Sequence, residues 1–423
     1  MISVRSRTGS HKRARAKVAI AVGCVAAALG VAACGGGGGG SDTGGSSNTV
    51  VIGANTELSG SLQIYGLPGT QGFQLGADAI NKAGGVKVGG KSYQLTVKAQ
   101  DNRSDPSQIV NASRAVVDSG AIAALGPDLG SIPAYQVFKQ ANIITFTPEF
   151  ALQQELIKNP QGNPLLFSPT VFLQELYTTN MRQLKALYPQ IKTVAIISPN
   201  DQQGQGTAEA YKFAAEGEGL SVVGVETYPV GSTDFSSILT SFKQKHPDLL
   251  IAEQTPEQGA AILQQAAQLG VAPYALNDTM TPDQALKVPG IGNTTVILPS
   301  FSPTFSPAAT IPDYKPEEVF GTEQPKGVPG AVIDSFYTTH LLAQAMEQAG
   351  TVTDAAAIAK ALPGQSFTGG FGTCTMTQRR EVSCETLVQV VAGGKVTVYR
   401  FPNPNSVTPT ATYLCQGGNC QRQ

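Results

Sequence analysis

VVIGANTELSGSLQIYGLPGTQGFQLGADAINKAGGVKVGGKSYQLTVKAQ (residues 50–100) carries a β-rich run at each end, VVIGANTE (50–57) and YQLTVKAQ (93–100). Between them a helical pattern runs from Phe73 to Ala83. Strand, helix and strand in that order form a crossover unit, which makes the two strands parallel. The pattern then repeats along the chain. Further strands are predicted at AIAALG (121–126), IITFTP (143–148), TVAIIS (193–198), SVVGVETY (221–228), DLLIAEQ (248–254) and TVILPS (295–300). One helix is predicted from Phe172 to Tyr188, with Leu173, Tyr177, Met181, Leu184 and Tyr188 on one stripe. Another starts after Pro256 and carries Ile262, Leu263, Ala266 and Ala267. The count exceeds one doubly wound sheet and restarts near residue 150, so two α/β lobes are expected. A (β/α)₈ barrel is the alternative, opposed by the irregular stretch 301–328 and the β-rich tail after Ser366.

In open α/β sheets ligands bind beyond the carboxyl ends of the strands. Function is therefore expected at Glu57 to Tyr65, Pro127 to Ser131, Thr147 to Ala151, Asn200 to Gln203, Gln254 to Thr255 and Asn277 to Thr279. Residues 85–92 (GVKVGGKS) satisfy the phosphate-loop expression GxxxxGK[ST]. That loop needs a strand before it and a helix after it, and here the order is inverted, so the segment reads as a glycine-rich helix end and turn.

The 423 residues hold 29 basic and 30 acidic side chains, a net charge of −1 that hides a split. Residues 1–33 contain Arg5, Arg7, Lys12, Arg13, Arg15 and Lys17 and no acid, leaving 23 basic against 30 acidic side chains beyond them. The body is acidic, which disfavours a nucleic-acid binder. Three histidines, His11, His246 and His340, offer little material for zinc enzymes or His-dependent triads, and no cofactor or metal is expected. The basic segment 1–17 followed by VAIAVGCVAAALGVAA (18–33) reads as a secretory signal. A spanning helix is the alternative, but sixteen residues with two glycines make a poor span. Val31-Ala32-Ala33-Cys34 resembles a lipobox, which implies that Cys34 is lipidated and becomes the mature N-terminus. GGGGGGSDTGGSSN (35–48) is a flexible tether with a reach of roughly 20 Å.

Residues 57–108 resemble the opening of the leucine/isoleucine/valine-binding proteins, the type I periplasmic solute-binding proteins that serve ABC importers. The matching pieces are Ser59-Gly60, Tyr65-Gly66, the Gly-Ala-Asp-Ala-Ile-Asn stretch 76–81 and Asp105-Pro106. GPDLGSIPAYQ (126–136), TFTPEF (145–150), PNDQQGQG (199–206) and residues 234–271 continue it in colinear order, over about residues 50–350. The resemblance implies an α/β fold of two Rossmann-like lobes with a hinge, three crossovers and an interlobe ligand cleft. It implies segments at 49–150 (first lobe), 151–280 (second lobe), 281–365 (first lobe again) and 366–423, a cysteine-bearing β-rich tail returning to the second lobe.

In that family the ligand carboxylate is held by first-lobe hydroxyls and N–H groups, at loops matching Gly130-Ser131 and Thr147 to Ala151. By position the second lobe contributes Gln203, before Gly204-Gln205-Gly206, and Asp278 for an ammonium group. Tyr65 on the first loop, Phe150 and Thr255 complete the expected ligand-binding set. The chain departs from the family at Thr147-Pro148-Glu149-Phe150-Ala151, which replaces Ser-Pro-x-Ala-Thr, and at Gln203, which replaces a tyrosine. The implied ligand is a branched-chain or hydrophobic amino acid or a related small amide or carboxylate.

Cys374, Cys384, Cys415 and Cys420 suit an oxidising compartment and allow three pairings. Cys374–Cys384 across a hairpin and Cys415–Cys420 in the tail are expected, with a zinc site as the alternative. The expectation is a monomeric, extracytoplasmic lipoprotein on the outer face of the cell membrane that hands a small molecule to an ABC permease, and not an enzyme. A ligand-sensing receptor module of the same fold, a secreted enzyme and a ligand-free adaptor are the rival readings.

Overall fold

The computed structural model describes residues 48–423 except Leu129, 253–254, 301–310 and Gln324, and without the side chains of Gln202, Gln203 and Pro256. The expected signal segment, Cys34 and the tether through Ser47 lie outside the described residues. The first sheet contains β1 (Thr49–Thr56), β2 (Val86–Val88), β3 (Lys91–Asp101), β4 (Ala121–Leu125), β5 (Ile144–Phe146) and β6 (Leu166–Phe167), in the order β2-β3-β1-β4-β5-β6. Its pairings are parallel except for the β2–β3 hairpin, where GVKVGGKS turns between two strands. Helices α1 (Gln63–Lys82), α2 (Ile109–Asp118), α3 (Ser131–Gln140) and α4 (Phe150–Lys158) connect these strands.

After α5 (Leu173–Leu187) a second sheet begins with β7 (Thr193–Pro199), α6 (Gln202–Gly217), β8 (Ser221–Tyr228), α7 (Ser236–Gln244) and β9 (Leu249–Ala252). It continues with α8 (Pro256–Leu269), β10 (Tyr274–Leu276), α9 (Pro282–Leu286) and β11 (Thr295–Ser300). The chain then returns to the first lobe through α10 (Glu317–Phe320), α11 (Pro329–Ala349) and α12 (Ala355–Ala361). A small sheet of β12 (Ser366–Gly369), β13 (Gly372–Met376) and β14 (Val382–Cys384) is tied to α11, where the Tyr337 hydroxyl donates to Gly372 O at 3.0 Å and accepts from Phe371 N at 3.0 Å. Finally β15 (Thr386–Ala392), β16 (Lys395–Phe401), β17 (Ala411–Gln416) and β18 (Asn419–Arg422) extend the second sheet antiparallel from β11. Two open sheets exclude the barrel. Residues 366–384 form their own sheet, so only the last part of the tail returns to the second lobe.

The segment boundaries also move. The first sheet runs on through Phe167 rather than ending at 150, and the second runs through Ser300 rather than 280. Short strands β6 and β10 carry too few residues to show an alternation in sequence. The passage out of the first lobe is clamped at Ser168, whose N–H donates to Arg380 O (2.8 Å) and whose O accepts from Val382 N (3.1 Å). Two crossing segments are thus joined side by side at the hinge.

Helix α1 starts ten residues before the predicted Phe73, so Tyr65 lies in its first turn and not on a loop. Pro68 inside this helix has no N–H for the carbonyl of Ile64, and Val328 N takes that carbonyl at 3.1 Å. A contact 264 residues away repairs the ladder. The glycines of α1 serve the same packing: a Cβ on Gly72 would lie 2.2 Å from Val332 O of α11. The next residue, Phe73, is fully buried and meets Phe146 of β5 at 6.4 Å between ring centroids. Truncating such a side chain costs about 3–5 kcal/mol.

Both expected disulfides are present. Cys374 and Cys384 face each other on β13 and β14, and Cys415 and Cys420 on β17 and β18. Among the described residues no helix is long and apolar enough to cross a membrane.

Candidate functional site

A cavity of about 670 Å³ opens between the lobes at the carboxyl ends of the parallel strands. Its walls come from both lobes and from α11. A second depression of about 960 Å³ lies at the amino ends of β4 and β5, around Ala121 and Asn142. That is the wrong edge for an α/β site, because strand-end loops and helix N-termini converge at the opposite one.

The first-lobe wall is built where strands end and helices begin. Past β4 the chain turns through Gly130, whose φ of 67° is the left-handed conformation that favours glycine, and starts α3 at Ser131. Past β5 it turns at Glu149, the N-cap of α4, whose carboxylate accepts from Leu152 N at 3.2 Å. The Ser131 hydroxyl, on a residue 3% exposed, donates to the same Glu149 oxygen at 2.6 Å. Behind them Glu57, fully buried after β1, accepts from Asn102 Nδ2 (3.2 Å) and from Asp128 N (3.4 Å). Burial pushes the Asp128 carboxyl well above the usual carboxylate range, and the neighbouring charges of Glu57 and Glu149 add to the shift.

The second-lobe wall repeats this construction. Asp201 caps α6 by accepting from Gly204 N at 2.7 Å. Asp278, just past β10, accepts from the buried Tyr211 hydroxyl at 3.0 Å, and Asn180 Nδ2 donates to that hydroxyl at 3.2 Å. Tyr177 packs on Tyr211 with ring centroids 4.2 Å apart and lines the cavity. The lobes approach closely here, since a Cβ on Gly206 of α6 would lie 3.9 Å from Phe150 Cδ1 of α4.

Of the predicted ligand-binding residues, Tyr65, Gly130, Ser131, Phe150 and Asp278 line the cavity. Thr147 does not. It is 1% exposed, and its hydroxyl oxygen accepts from Glu149 N at 3.3 Å, so it supports the loop from behind. Thr255 is not a lining residue either. It caps α8, accepting from Gln258 N at 3.4 Å. Gln203 falls in the first turn of α6, but its side chain is outside the described residues.

Sequence reasoning passed over Asp128, Glu149, Glu209, Asp334 and Tyr177 as individual wall residues. Asp128 and Glu149 sit in strand-end loops already singled out. The signal for Asp334 was available in α11, where an Asp-Ser pair interrupts an apolar helix and both residues are buried.

The periplasmic binding protein family model matches residues 49–395. Similar curated proteins include the Leu/Ile/Val-binding protein homolog 3 of Brucella melitensis, 22% identical over 346 residues, covering 79% of this chain and 89% of that protein. The leucine-, isoleucine-, valine-, threonine-, and alanine-binding protein of Pseudomonas aeruginosa is 25% identical over 343 residues, covering 77% and 86%. Among solved structures, a branched-chain amino acid transporter substrate binding protein from Streptococcus pneumoniae, in complex with isoleucine, superposes with a TM-score of 0.63 at 22% identity, covering 82% of this chain and 97% of that one. An R. palustris solute binding protein in complex with benzoate gives 0.66 at 14% identity, covering 85% and 97%. The likeness to these structures extends over both lobes and the hinge, so the fold is the type I arrangement expected from the sequence. With a family model spanning most of its length, the chain belongs to the periplasmic binding protein family.

Proposed function

We propose that this protein is an extracytoplasmic solute-binding lipoprotein that captures a small, partly apolar molecule between its lobes and delivers it to an ABC importer. The observation that carries the reading is the 670 Å³ cavity with walls from both lobes at the strand ends. A ligand held there touches both lobes only when they are together, so binding shifts an open–closed equilibrium by its extra contacts in the closed form. No bond is made or broken, and the importer reads the closed form. Tyr65, Gly130, Ser131, Phe150 and Asp278 are assigned as ligand-facing residues.

The names of the relatives, which are binding proteins for amino acids, support the transport role. Cys34 carries the lipid, and the 35–48 tether holds the monomer just above the outer face of the membrane. A thermal-shift screen of the full chain against amino acids, amides, carboxylic acids and amines tests the reading. A solute at 100 times its Kd stabilises the protein by about 2.7 kcal/mol, which is several degrees in the melting midpoint. Midpoints unmoved by every class of solute would contradict it.

A further inference from the structure

Given that the interlobe cavity captures a solute, the reading on which this depends, we propose that its ligand is an organic cation: an amine or amidinium on a partly apolar body, with no carboxylate of its own. The cavity wall carries Asp128, Glu149, Asp201, Glu209, Asp278 and Asp334, and no Lys, Arg or His among the described lining residues. The stretches between 48 and 423 that are not described contain no basic residue in sequence, so none of them can supply a counter-charge.

The position of Glu149 decides against a carboxylate ligand. Its Oε2 already takes the Ser131 hydroxyl at 2.6 Å and the N–H of Leu152 at 3.2 Å, the donors at the start of α3 and α4. An incoming carboxylate would have to displace this resident one or lie against it. Like charges in contact repel, which disfavours either arrangement.

Other features suit a cation. Tyr65, Phe150 and Tyr177 line the same space, and aromatic rings can attract cations. Burial and the charges of Glu57 and Glu149 raise the pKa of the Asp128 carboxyl, and a cation beside it would favour its charged form. Among the described residues no group of His, Cys, Asp and Glu has the arrangement to hold a metal ion, so the charge belongs on an organic body.

The test is calorimetric titration of the full chain with two sets of matched compounds. One set is 3-methylbutylamine, 4-methylpentanamide, 4-methylpentanoate and leucine. The other is 2-phenylethylamine, 3-phenylpropanamide, 3-phenylpropanoate and phenylalanine. In at least one set the amine is expected to bind about tenfold or more tighter than its amide, the worth of one charged hydrogen bond, with no measurable binding of the acid. Glu149→Gln and Asp278→Asn should each reduce the amine-to-amide preference about tenfold, and ligand-free melting verifies that each variant is folded. Two variants on different lobes keep the test open if one fails to fold.

Binding of an amino acid or the acid as tight as the amine would overturn the cation assignment and leave solute capture standing. Calcium chloride bound in competition with the amines would overturn the organic character of the cation. Absence of binding throughout both sets would overturn this proposal, and the screen across all solute classes decides separately whether solute capture falls with it.

Discussion

The Ser131 hydroxyl donates to Glu149 Oε2 at 2.6 Å, and this bond ties together the first turns of α3 and α4. Those turns follow adjacent strands of the first sheet, so one carboxylate both caps a helix and fixes the floor of the cleft. A side chain with two structural partners and a place on the cavity wall links the stability of the empty protein to its recognition chemistry.

Glu149→Ala removes the cap on Leu152 N and leaves the buried Ser131 hydroxyl without its acceptor. Loss of an N-cap costs about 1 kcal/mol, and a stranded hydroxyl adds to it, so the ligand-free protein is expected to lose about 1–2 kcal/mol in urea unfolding. Glu149→Gln keeps a carbonyl oxygen for both donors and is expected to lose less.

Asp128 sets a pH dependence for cation capture. Burial and the charges of Glu57 and Glu149 raise the pKa of its carboxyl, and a cation bound beside it would lower that pKa. A proton therefore competes with the ligand. Affinity for the amines should rise with pH through the range above ordinary carboxylate values, and it should flatten in Asp128→Asn. Titrations at several pH values, with the acid and amide as controls, check this.

His340 is partly buried between Phe336 and Phe367, stacked on Phe367 with centroids 3.8 Å apart and planes at 3°. Burial pushes its pKa down to about 4 from 6.5. The unfolded chain binds the proton first, so this group leaves stability intact above about pH 6.5 and lowers it as pH falls toward 4. The loss is of order 3 kcal/mol from that shift at 1.36 kcal/mol per unit. In His340→Phe this contribution disappears, and the difference between variant and wild-type unfolding free energies should change only below about pH 6.5.

Cys34 is the anchor in the proposed function. Cys34→Ser is expected to move the protein from the membrane fraction to the soluble one and to abolish labelling with a palmitate analogue, while purified protein still binds its solute. Retention of the variant on the membrane would contradict lipid anchoring through this cysteine.

How much was legible follows from how local each signal is. SVVGVETY (221–228) and TVILPS (295–300) coincide with β8 and β11, because β-branched runs between turns need no partner to be read. Residues 63–72 of α1 do not read as helix in sequence, because Pro68 and the nearby glycines are residues typical of loops. Only Val328 on the Ile64 carbonyl and the close approach of α11 make them helical.

The strand-end rule located the cleft, and five predicted residues reach it. Thr147 and Thr255 obey the same rule, yet the Thr147 hydroxyl turns to a backbone N–H of its own loop and the Thr255 hydroxyl to one in the first turn of α8. Which way a strand-end side chain faces is set by the cap it makes. The acidic character of the wall was in the sequence as Asp128, Glu149 and Asp278, but it becomes a common feature only when two sheets bring them around one space.

The most direct test of solute capture between two lobes is calorimetric titration of the best solute from the screen into the wild type, a first-lobe variant and a second-lobe variant. Ser131→Leu fills the first-lobe wall, and Asp278→Asn removes charge from the second. The expected result is one site per chain in the wild type, with affinity reduced about tenfold or more by either substitution, since each wall contributes contacts to the closed form. Unchanged affinity in both folded variants, or a stoichiometry other than one, would contradict a single site shared by the lobes.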